Sequence, residues 1–458
     1  MGGLRLPSSL LFGLATLCLL NADSPNFIVI LSDDQSWVGS SLQIDPKDER
    51  TRSDYFRTPQ LERLAREGMS FTRGYAPAPF CCPTRRSLLV GQTPARHIYS
   101  KDQRRWTGEY RRQLSLPQML KKADSNYRTA HFGKWDMRFD EVTPEEMGYD
   151  ESDGYTDNGT GGNKGSGGPA ARTDPKLIFE ITERTRAFME ASAVAGKPFF
   201  VQVSHYAVHL DIFYREETLD TVSDWKQGTK HHIPEFAAMT SDMDEGIGSV
   251  LNKVESLGLE DSTYIFFLSD NGGRNSMPGH KDVSLHRNDP LRDGKGSMYE
   301  GGIRVPFLVK GPGIARGSFS RTPVSGLDIF PTLAELSGYK MELPRVLDGG
   351  SLAPILIGTG EGEVRRSNPF MIFHQAVARD AETALLMGDY KLIKTWKKAR
   401  LELFDLSEDV GEERDLSKKM PAKVDELHQL MVDFLEDAGA ETRKTGSKSD
   451  AYERAARG

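Results

Sequence analysis

The sequence predicts an α/β fold in which helices sandwich a large, mainly parallel sheet, with a smaller α+β subdomain at the C-terminus. Four short apolar runs are typical of strands buried on both faces; they cover residues 27–31, 199–203, 264–268 and 305–309. Helical patterns lie between these runs, and strands that alternate with helices favour a parallel sheet. Past residue 356 the pattern changes to short strands and then an amphipathic helix, which indicates a second, smaller unit.

The N-terminus has the pattern of a signal peptide. Arg5 precedes an apolar stretch over residues 10–20, and small and polar residues follow at 21–23. We therefore expect residues 1–23 to be removed and the chain to be exported, to the periplasm or the medium. A buried first helix is the alternative, but Pro25 and an apolar strand follow at once, and the stretch is too short to span a membrane.

Length and charge limit the remaining choices. The 458 residues exceed one ordinary core, so we expect a large domain at 24–356, a smaller subdomain at 357–440 and a polar tail at 441–458. The net charge of -7 gives no general electrostatic reason to bind nucleic acid or an acidic membrane. No later segment is apolar for long enough to cross a bilayer, so stable membrane insertion is not expected.

The clearest helical pattern follows the first apolar run. Thr58 is a residue type that caps helices, Pro59 suits the first helical position, Leu61 and Leu64 share one face, and Gly68 suits the end. The sequence therefore predicts a helix at 59–67 with Thr58 as its N-terminal cap.

The C-terminal region is typical of a short strand at 390–394 followed by a helix. That helix places five apolar residues on one face: Val424, Leu427, Leu430, Met431 and Phe434. From residue 441 onward the chain is polar and is predicted to fray.

Polar side chains follow three of the four predicted strands. They are Asp33 and Asp34 after the first, His205 and His209 after the second, and Asp270 and Asn271 after the third. Open α/β sheets form their sites at the carboxyl ends of the strands, so we expect these side chains to converge. Carboxylate and amide oxygens favour a hard cation such as calcium over zinc, whereas the alternative role of such residues is capping and turn formation.

Two adjacent cysteines, Cys81 and Cys82, remain once Cys18 leaves with the signal peptide. A disulfide between neighbours is strained and a metal site favours spaced thiolates, so the remaining roles are burial as small apolar residues or a chemical function. Pro83 suits the start of a helix, where backbone amides favour an anion, and Arg85 adds positive charge. These neighbours favour the chemical function.

The segment that begins at Cys81 resembles the modification signature C-x-P-S-R-x-x-x-L-x-G of the type I sulfatases in the alkaline phosphatase superfamily. Every signature position matches except Thr84, where serine is usual. The resemblance continues at 27–35, 132–135, 269–273, 294–306, 330–333, 347–349 and 402–406. It therefore covers nearly all of the mature chain.

The resemblance implies an alkaline phosphatase-like fold, a catalytic sulfatase domain at 24–356 and a set of site residues. A formylglycine-generating enzyme would oxidise Cys81 to formylglycine (3-oxoalanine). The implied ligands of one calcium ion (Ca2+) are Asp33, Asp34, Asp270, Asn271 and the modified Cys81. The other implied residues are Arg85, which would steady the nucleophile, and Lys134, Lys295 and His209, which would surround the sulfate.

The resemblance also implies a reaction in two steps. The hydrated aldehyde supplies two hydroxyls on one carbon: one attacks sulfur, and the other later loses a proton as sulfate is expelled. Calcium would polarise a sulfate oxygen, and Asp270 would accept a proton. His209, with Lys295, would protonate the departing alcohol.

Besides Thr84, two further positions depart from the family pattern. Asp136 stands where the family has a histidine that contacts the formylglycine hydroxyl, and Val208 stands where a proline usually precedes the active-site histidine. An acid at position 136 is able to accept a proton, but it adds negative charge beside calcium. His131 is a further histidine in the same segment that would be able to substitute.

The implied substrate is a sulfated carbohydrate, which is read by loops that vary within this fold. The candidates for substrate contact are Asp136, Arg96, His97 and the segments 231–236 and 280–292. A phosphatase or phosphonate monoester hydrolase on the same scaffold is one alternative, since phosphate and sulfate esters need similar cationic clamps. A non-catalytic binder of sulfated glycans, which Asp136 motivates, is the other. The modification signature and both metal segments argue against the binder, whereas the motif alone does not exclude the phosphatase or phosphonate hydrolase, whose relatives also carry formylglycine.

Overall fold

The structure is a computed structural model that describes residues 24–97, 110–137, 142–161, 174–275, 287–358, 360–376 and 381–441. The predicted signal peptide, residues 280–286 of one predicted substrate segment and residues 442–458 of the predicted tail lie outside the described residues.

The strands of the described chain form three sheets. In chain order they are β1 (Asn26–Ser32), β2 (Met69–Phe71), β3 (Gly74–Tyr75), β4 (Arg128–Gly133), β5 (Glu151–Ser152), β6 (Phe199–Ser204), β7 (Thr263–Ser269), β8 (Phe307–Lys310), β9 (Ser318–Ser320), β10 (Val324–Ser325), β11 (Met371–Gln375), β12 (Glu382–Met387), β13 (Tyr390–Thr395) and β14 (Arg400–Asp405). The α-helices are α1 (Pro59–Glu67), α2 (Cys81–Val90), α3 (Leu116–Ala123), α4 (Ile178–Val194), α5 (Glu216–Ser223), α6 (Pro234–Ser256), α7 (Glu300–Ile303), α8 (Ile329–Leu336), α9 (Ala353–Leu356) and α10 (Pro421–Ala438).

The central sheet has eight strands in the order β5-β4-β6-β1-β7-β8-β2-β9. The five strands from β5 to β7 run parallel to one another. β8 runs antiparallel to both of its neighbours, β7 and β2. The prediction of a large, mainly parallel sheet is confirmed.

The central sheet is covered by helices on both faces because its middle strands are apolar on both sides. In β1, Phe27, Val29 and Leu31 pack in one core with side chains of α3 and α8. Ile28 and Ile30 point the other way and pack in a second core with α1, α4 and α6. An uninterrupted apolar strand is thus buried between two layers of helices.

The prediction for α1 was right about the helix and wrong about its cap. The Thr58 side chain makes no capping hydrogen bond; its hydroxyl accepts from the backbone N–H of Ser41 instead, at 2.9 Å. The first-turn amides of Gln60 and Leu61 donate to the carboxylate of Asp244 on α6, each at 2.9 Å. A tertiary contact supplies the acceptor that we expected from the chain neighbour.

The C-terminal subdomain is a four-stranded antiparallel sheet, β11 to β14, covered on one face by α10, which confirms the predicted α+β unit. The predicted apolar face of α10 is buried except for Leu430, which is half-buried. Glu441, predicted to begin the frayed tail, is itself buried, with its carbonyl oxygen 2.5 Å from His374 Nε2. Among the described residues, no helix is both long and apolar enough to span a membrane.

Candidate active site

The carboxyl ends of β4, β6, β1 and β7 meet at one edge of the central sheet, and the polar residues that follow them converge there. Asp33 and Asp34 follow β1, Lys134 follows β4, and Asp270 and Asn271 follow β7. The start of α2 brings Cys81 and Arg85 to the same edge. The structure shows the predicted convergence at the carboxyl ends for these residues, whereas His205, which follows β6, is buried and has no hydrogen bond to them.

Helix α2 fixes Cys81 at its first residue. Phe80 before it is extended, and Pro83 is the third residue of the helix, where a missing N–H costs no helical hydrogen bond. Gly91 closes the helix in the left-handed conformation at φ 67°, which glycine adopts readily, and its N–H donates to the Ser87 carbonyl. The segment that begins at Cys81 therefore forms one helix that Gly91 closes at its C-terminus, with Cys81 at the end that faces the sheet edge.

Cys81 lies between acidic and basic groups. Its Sγ is 3.6 Å from Asp33 Oδ1, 4.0 Å from Asp34 Oδ1 and 3.2 Å from Lys295 Nζ. One possible ligand atom from each of Asp33, Asp34, Cys81 and His209 lies within 4.8 Å of the other three. His209, which we predicted to contact sulfate, thus also stands within reach of a shared cation.

Some oxygens of the predicted metal ligands accept hydrogen bonds, and others do not. Among the described residues, Asp34 Oδ2 and Asn271 Oδ1 are buried and accept no hydrogen bond. Asp270 differs: its Oδ2 accepts from Arg85 Nε at 3.0 Å and Nη2 at 2.8 Å, and its Oδ1 accepts from the Asp34 N–H at 3.1 Å. Buried oxygens without donors suit a hard cation, so the donor set around Asp34 fits calcium.

Three cations offset the carboxylates. Lys134 Nζ is 2.5 Å from Asp33 Oδ2, and Lys295 Nζ pairs with Asp34 Oδ1. Arg85 Nη1 also donates to the Lys134 carbonyl at 2.6 Å, so the guanidinium holds the segment that carries Lys134. The cluster is therefore a nearly balanced ionic network rather than an excess of one charge.

The network sets the protonation of its members. Burial alone would raise the pKa of Asp33, but Lys134, His209, Arg85 and Lys295 hold that pKa well below its usual range. Burial, with the charges of Asp33 and Asp34, raises the pKa of Asp270 to about 6. Burial and then Asp270 raise the pKa of the Cys81 thiol well above its usual value, so the unmodified side chain is a protonated thiol at neutral pH.

His209 presents one ring nitrogen to the cluster. Its Nδ1 lies 2.5 Å from the Leu210 carbonyl oxygen, a contact that requires Nδ1 to be the donor. Its Nε2 then faces Asp34 Oδ2 at 3.7 Å. Burial lowers the pKa of His209, although Asp33 and Asp34 oppose this, which makes its protonated form a stronger acid.

Asp136 lies beside the cluster, and His131 lies behind it. Asp136 is fully buried, adopts φ 55°, and has Oδ2 3.5 Å from Lys134 Nζ. His131 Nε2 is 3.1 Å from Ser204 Oγ, and its ring packs edge-on against Trp135 and Tyr149. Asp136 is thus the side chain of this segment that adjoins Lys134.

Arg96 and His97, both predicted to contact substrate, are engaged elsewhere. The Arg96 guanidinium forms an ion pair with Asp348 at 3.0 Å and lies 5.0 Å over the Phe434 ring of α10. His97 is buried. These contacts join the segment after α2 to the C-terminal subdomain and do not bring either side chain into the Cys81 cluster.

In the segment 231–236, His231 contacts residues outside the Cys81 cluster. His231 is buried, with Nδ1 2.9 Å from Ser53 Oγ and Nε2 3.0 Å from the Arg287 carbonyl. Arg287, in the predicted substrate segment 280–292, is buried, and its guanidinium lies 4.1 Å over the Phe236 ring. Lys176 is a buried cation that was not predicted, because it belongs to no motif.

A model of the family described as Sulfatase matches residues 25–339. The chain belongs to the sulfatase family. A second model, described as the C-terminal part of N-sulphoglucosamine sulphohydrolase, matches residues 293–438. As a member of this family the protein is a sulfuric ester hydrolase, as the sequence predicted.

Curated relatives carry the same assignment. A sulfatase from Formosa agariphila is 26% identical, over 87% of this chain and 85% of its own length. The N-acetylgalactosamine-6-sulfatase of Mus musculus is 28% identical, over 76% of this chain and 70% of its own length.

Solved structures share the fold of this sulfatase. Ps i-CgsB in complex with k-i-k-neocarrahexaose has a TM-score of 0.72 at 22% identity and covers 95% of this chain and 98% of its own. The PsFucS1 sulfatase from Pseudoalteromonas sp. has a TM-score of 0.69 at 20% identity, with 93% and 92% covered. The predicted alkaline phosphatase-like fold is confirmed.

Proposed function

We propose that this sulfatase hydrolyses a sulfate ester on a sulfated carbohydrate, with a formylglycine made from Cys81 as nucleophile and one calcium ion beside it. The observation that carries the proposal is the position of Cys81. It begins α2 within a signature that matches at every position but one, and its Sγ lies between Asp33 and Lys295 at 3.6 and 3.2 Å.

The calcium ion would be held by Asp33, Asp34, Asn271 and the modified Cys81, with Asp270 at the margin. Support comes from Asp34 Oδ2 and Asn271 Oδ1, the buried oxygens that accept no hydrogen bond in the described chain. When bound, the ion supplies Lewis acidity toward a sulfate oxygen and lowers the pKa of the attacking hydroxyl. Asp270 is already fixed by Arg85 and is the proposed proton acceptor.

Formylglycine would supply a hydrated aldehyde, whose paired hydroxyls a plain thiol lacks. Around it, Lys134 and Lys295 carry the positive charge that would offset the equatorial sulfate oxygens. Arg85 donates to both Asp270 and the Lys134 carbonyl, and so keeps the proton acceptor and one lysine in place. His209 Nε2, once protonated, would donate to the departing alcohol oxygen.

A sulfated carbohydrate is the proposed substrate because the similar proteins are named for saccharides. They include the N-acetylgalactosamine-6-sulfatases, an ulvan-active sulfatase of Formosa agariphila and the structure in complex with a neocarrahexaose. Export through a signal peptide at 1–23, with maturation by a formylglycine-generating enzyme, completes the proposal.

Mass spectrometry of the tryptic peptide that contains Cys81 and Cys82 tests the proposal. The protein is produced in a host that has the maturation enzyme. We expect a loss of about 18 Da at Cys81 together with reactivity toward an aldehyde probe, because the nucleophile must be activated before it can act. The matched control is Cys82→Ala, which should keep the modification, whereas Cys81→Ala should lose both the mass shift and sulfate ester hydrolysis.

An unmodified Cys81 under these conditions contradicts the proposed nucleophile. A modified protein that hydrolyses 4-methylumbelliferyl phosphate faster than the corresponding sulfate contradicts the proposed substrate class. A modified protein that hydrolyses neither ester and no sulfated saccharide contradicts the enzymatic role.

A further inference from the structure

Lys176 is a buried lysine that the proposed reaction does not use. Its residue is 3% exposed, and its ammonium lies 5.1 Å from the centroid of the Phe213 ring. Among the described residues the ammonium has neither an ion pair nor a hydrogen bond. The other lysines near the site, buried Lys134 and half-buried Lys295, are each paired with an aspartate.

The helix that follows Lys176 packs on the carboxyl edge of the sheet. The close neighbours of two glycines show this: a β-carbon at Gly133 would lie 3.1 Å from Ile181 Cδ1, and one at Gly246 would lie 3.0 Å from Ile178 Cγ2 and 3.9 Å from His205 Cε1. The first turn of α4 is therefore beside the ends of β4 and β6. Lys176, two residues before that turn, is held over the same edge as Lys134.

The backbone at Lys176 is fixed in a costly conformation. Lys176 and Leu177 both have left-handed dihedrals, with φ of 62° and 53°, which side-chain-bearing residues rarely adopt. The Asp174 carboxylate accepts from the N–H groups of Phe179 and Glu180 at 2.9 and 2.8 Å and so anchors the turn to α4. Strain of this kind is concentrated at ligand sites, where the surrounding structure holds it.

The surroundings of the ammonium suit an anionic partner. Burial lowers the pKa of Lys176 to about 8, against the pull of Asp33 and Asp211. A buried ammonium without a hydrogen-bonded anion is costly, and an anion that arrives with a ligand would relieve that cost. Phe213 lies four residues after His209, so the loop that carries the proposed acid also contacts the Lys176 ammonium.

We propose that Lys176 binds a second anionic group of the saccharide, a carboxylate or a second sulfate, apart from the sulfate that is hydrolysed. The inference rests on the proposed function. Lys134 and Lys295 already border Cys81, whereas Lys176 has no described contact with it. Lys176 would therefore bind an anionic group at a neighbouring position of the saccharide. The lysine is thus a specificity residue that favours substrates with two negative charges.

Lys176→Met tests the inference, because methionine keeps the length and the apolar contact with Phe213 while removing the charge. The substrates are matched sulfated disaccharides with a neutral sugar, a uronic acid or a second sulfate, together with an aryl sulfate. On the two dianionic disaccharides we expect kcat/KM to fall about ten- to a hundredfold, the effect of losing a hydrogen bond to a charged group. Comparison of the uronic acid disaccharide with the disulfated one shows whether Lys176 binds a carboxylate or a second sulfate.

The matched control is Lys394→Met. Lys394 is also buried and lies 5.7 Å from the ring centroid of Trp396, but on β13 of the C-terminal sheet. It should change no substrate preference. An equal loss on all substrates, or no loss on the dianionic ones, overturns the role of Lys176.

A binding measurement separates this inference from the proposed function. Calorimetric titration of the dianionic disaccharides into Cys81→Ala and into Cys81→Ala with Lys176→Met needs no turnover. Binding about tenfold weaker in the double variant supports Lys176 even if the wild type hydrolyses no sulfate ester. Equal dissociation constants overturn the inference even if the wild type is an active sulfatase.

Discussion

Two buried ionic clusters of this sulfatase differ in whether every side-chain oxygen has a cation or a hydrogen-bond donor close to it. The site cluster is built from Asp33, Asp34 and Asp270 with Arg85, Lys134 and Lys295. A second cluster, the subdomain cluster, is built from Glu300, Glu412, Lys391, Arg304 and Tyr75. Both remove several charges from water, which is costly unless every charge is paired.

The subdomain cluster is closed because each of its carboxylate oxygens has a cation or a donor within 3.0 Å, although the contact of Glu412 Oε1 with Lys391 is an ion pair and not a hydrogen bond. Lys391 Nζ lies 2.8 Å from Glu300 Oε1 and 2.9 Å from Glu412 Oε1. Glu300 Oε2 is 3.0 Å from both Arg304 Nη1 and Tyr75 Oη, and Glu412 Oε2 accepts from the Glu300 N–H at 2.6 Å. The cluster links α7, which precedes β8 of the central sheet, with β13 and the segment after β14. It therefore joins the central sheet to the C-terminal sheet.

The site cluster is open by contrast. Asp34 Oδ2 and Asn271 Oδ1 accept no hydrogen bond among the described residues, and Lys295 and His209 beside them are each 12% exposed in their side chains. Closed pairing stabilises a fold, whereas unmatched oxygens at a partly exposed edge leave capacity for a ligand. The same residue types thus serve assembly in one place and chemistry in the other.

Asp34→Asn should have the largest effect of these variants, and that effect should be a loss of activity. It removes a proposed calcium ligand, so kcat/KM for sulfate esters should fall by about 10⁴-fold or more, several kcal/mol of transition-state stabilisation. Asparagine also tolerates the φ of 59° at this position, and the change removes one of several crowded negative charges. Lys295 loses its ion pair with Asp34 but is partly exposed and keeps the nearby charge of Asp33, so urea unfolding should show a smaller loss of stability than for Lys391→Met. A large loss with normal kcat/KM would reverse the roles of the two clusters.

Lys391→Met should have the opposite effect, a loss of stability with little change in activity. It leaves Glu300 and Glu412 buried without their shared cation, so the free energy of unfolding should fall by about 3–5 kcal/mol, as measured by urea denaturation. Activity per folded molecule should change little. Lys394→Met on the same strand is the control; Lys394 contacts an aromatic ring and no carboxylate in the described chain, so its loss should cost about 1 kcal/mol or less. Equal costs for the two variants would show that the subdomain cluster adds no stability.

The sequence predicted the parts of the fold that depend on local pattern. The run at 27–31 identified β1 because helices cover both of its faces, and Pro59 with Gly68 located the ends of α1. The antiparallel direction of β8 was not predictable, since an apolar run has no direction. Nor was the cap of α1, because Asp244 comes from a distant helix and outcompetes Thr58.

The site was predictable where a motif carried it and not elsewhere. Cys81, Asp33 and Lys134 lie in recognised segments, and the structure brings them together. Arg96 was predicted to contact substrate, yet its guanidinium is bound by Asp348 and contributes to structure. Lys176 follows no pattern, because its burial depends on how α4 packs on the ends of β4 and β6.

Asp136→Asn sharpens the comparison within the site cluster and should have the smallest effect of the three. If Asp136 takes the proton that the family's histidine otherwise takes, the amide variant should lose about a hundredfold in kcat, with KM nearly unchanged. Asparagine is close to aspartate in size and tolerates the φ of 55°, so the fold should be kept. Asp136→His, which introduces the family's residue, should retain activity. An Asp136→Asn variant with wild-type kcat would show that this carboxylate only balances the charge of Lys134, as the carboxylates of the subdomain cluster balance Lys391.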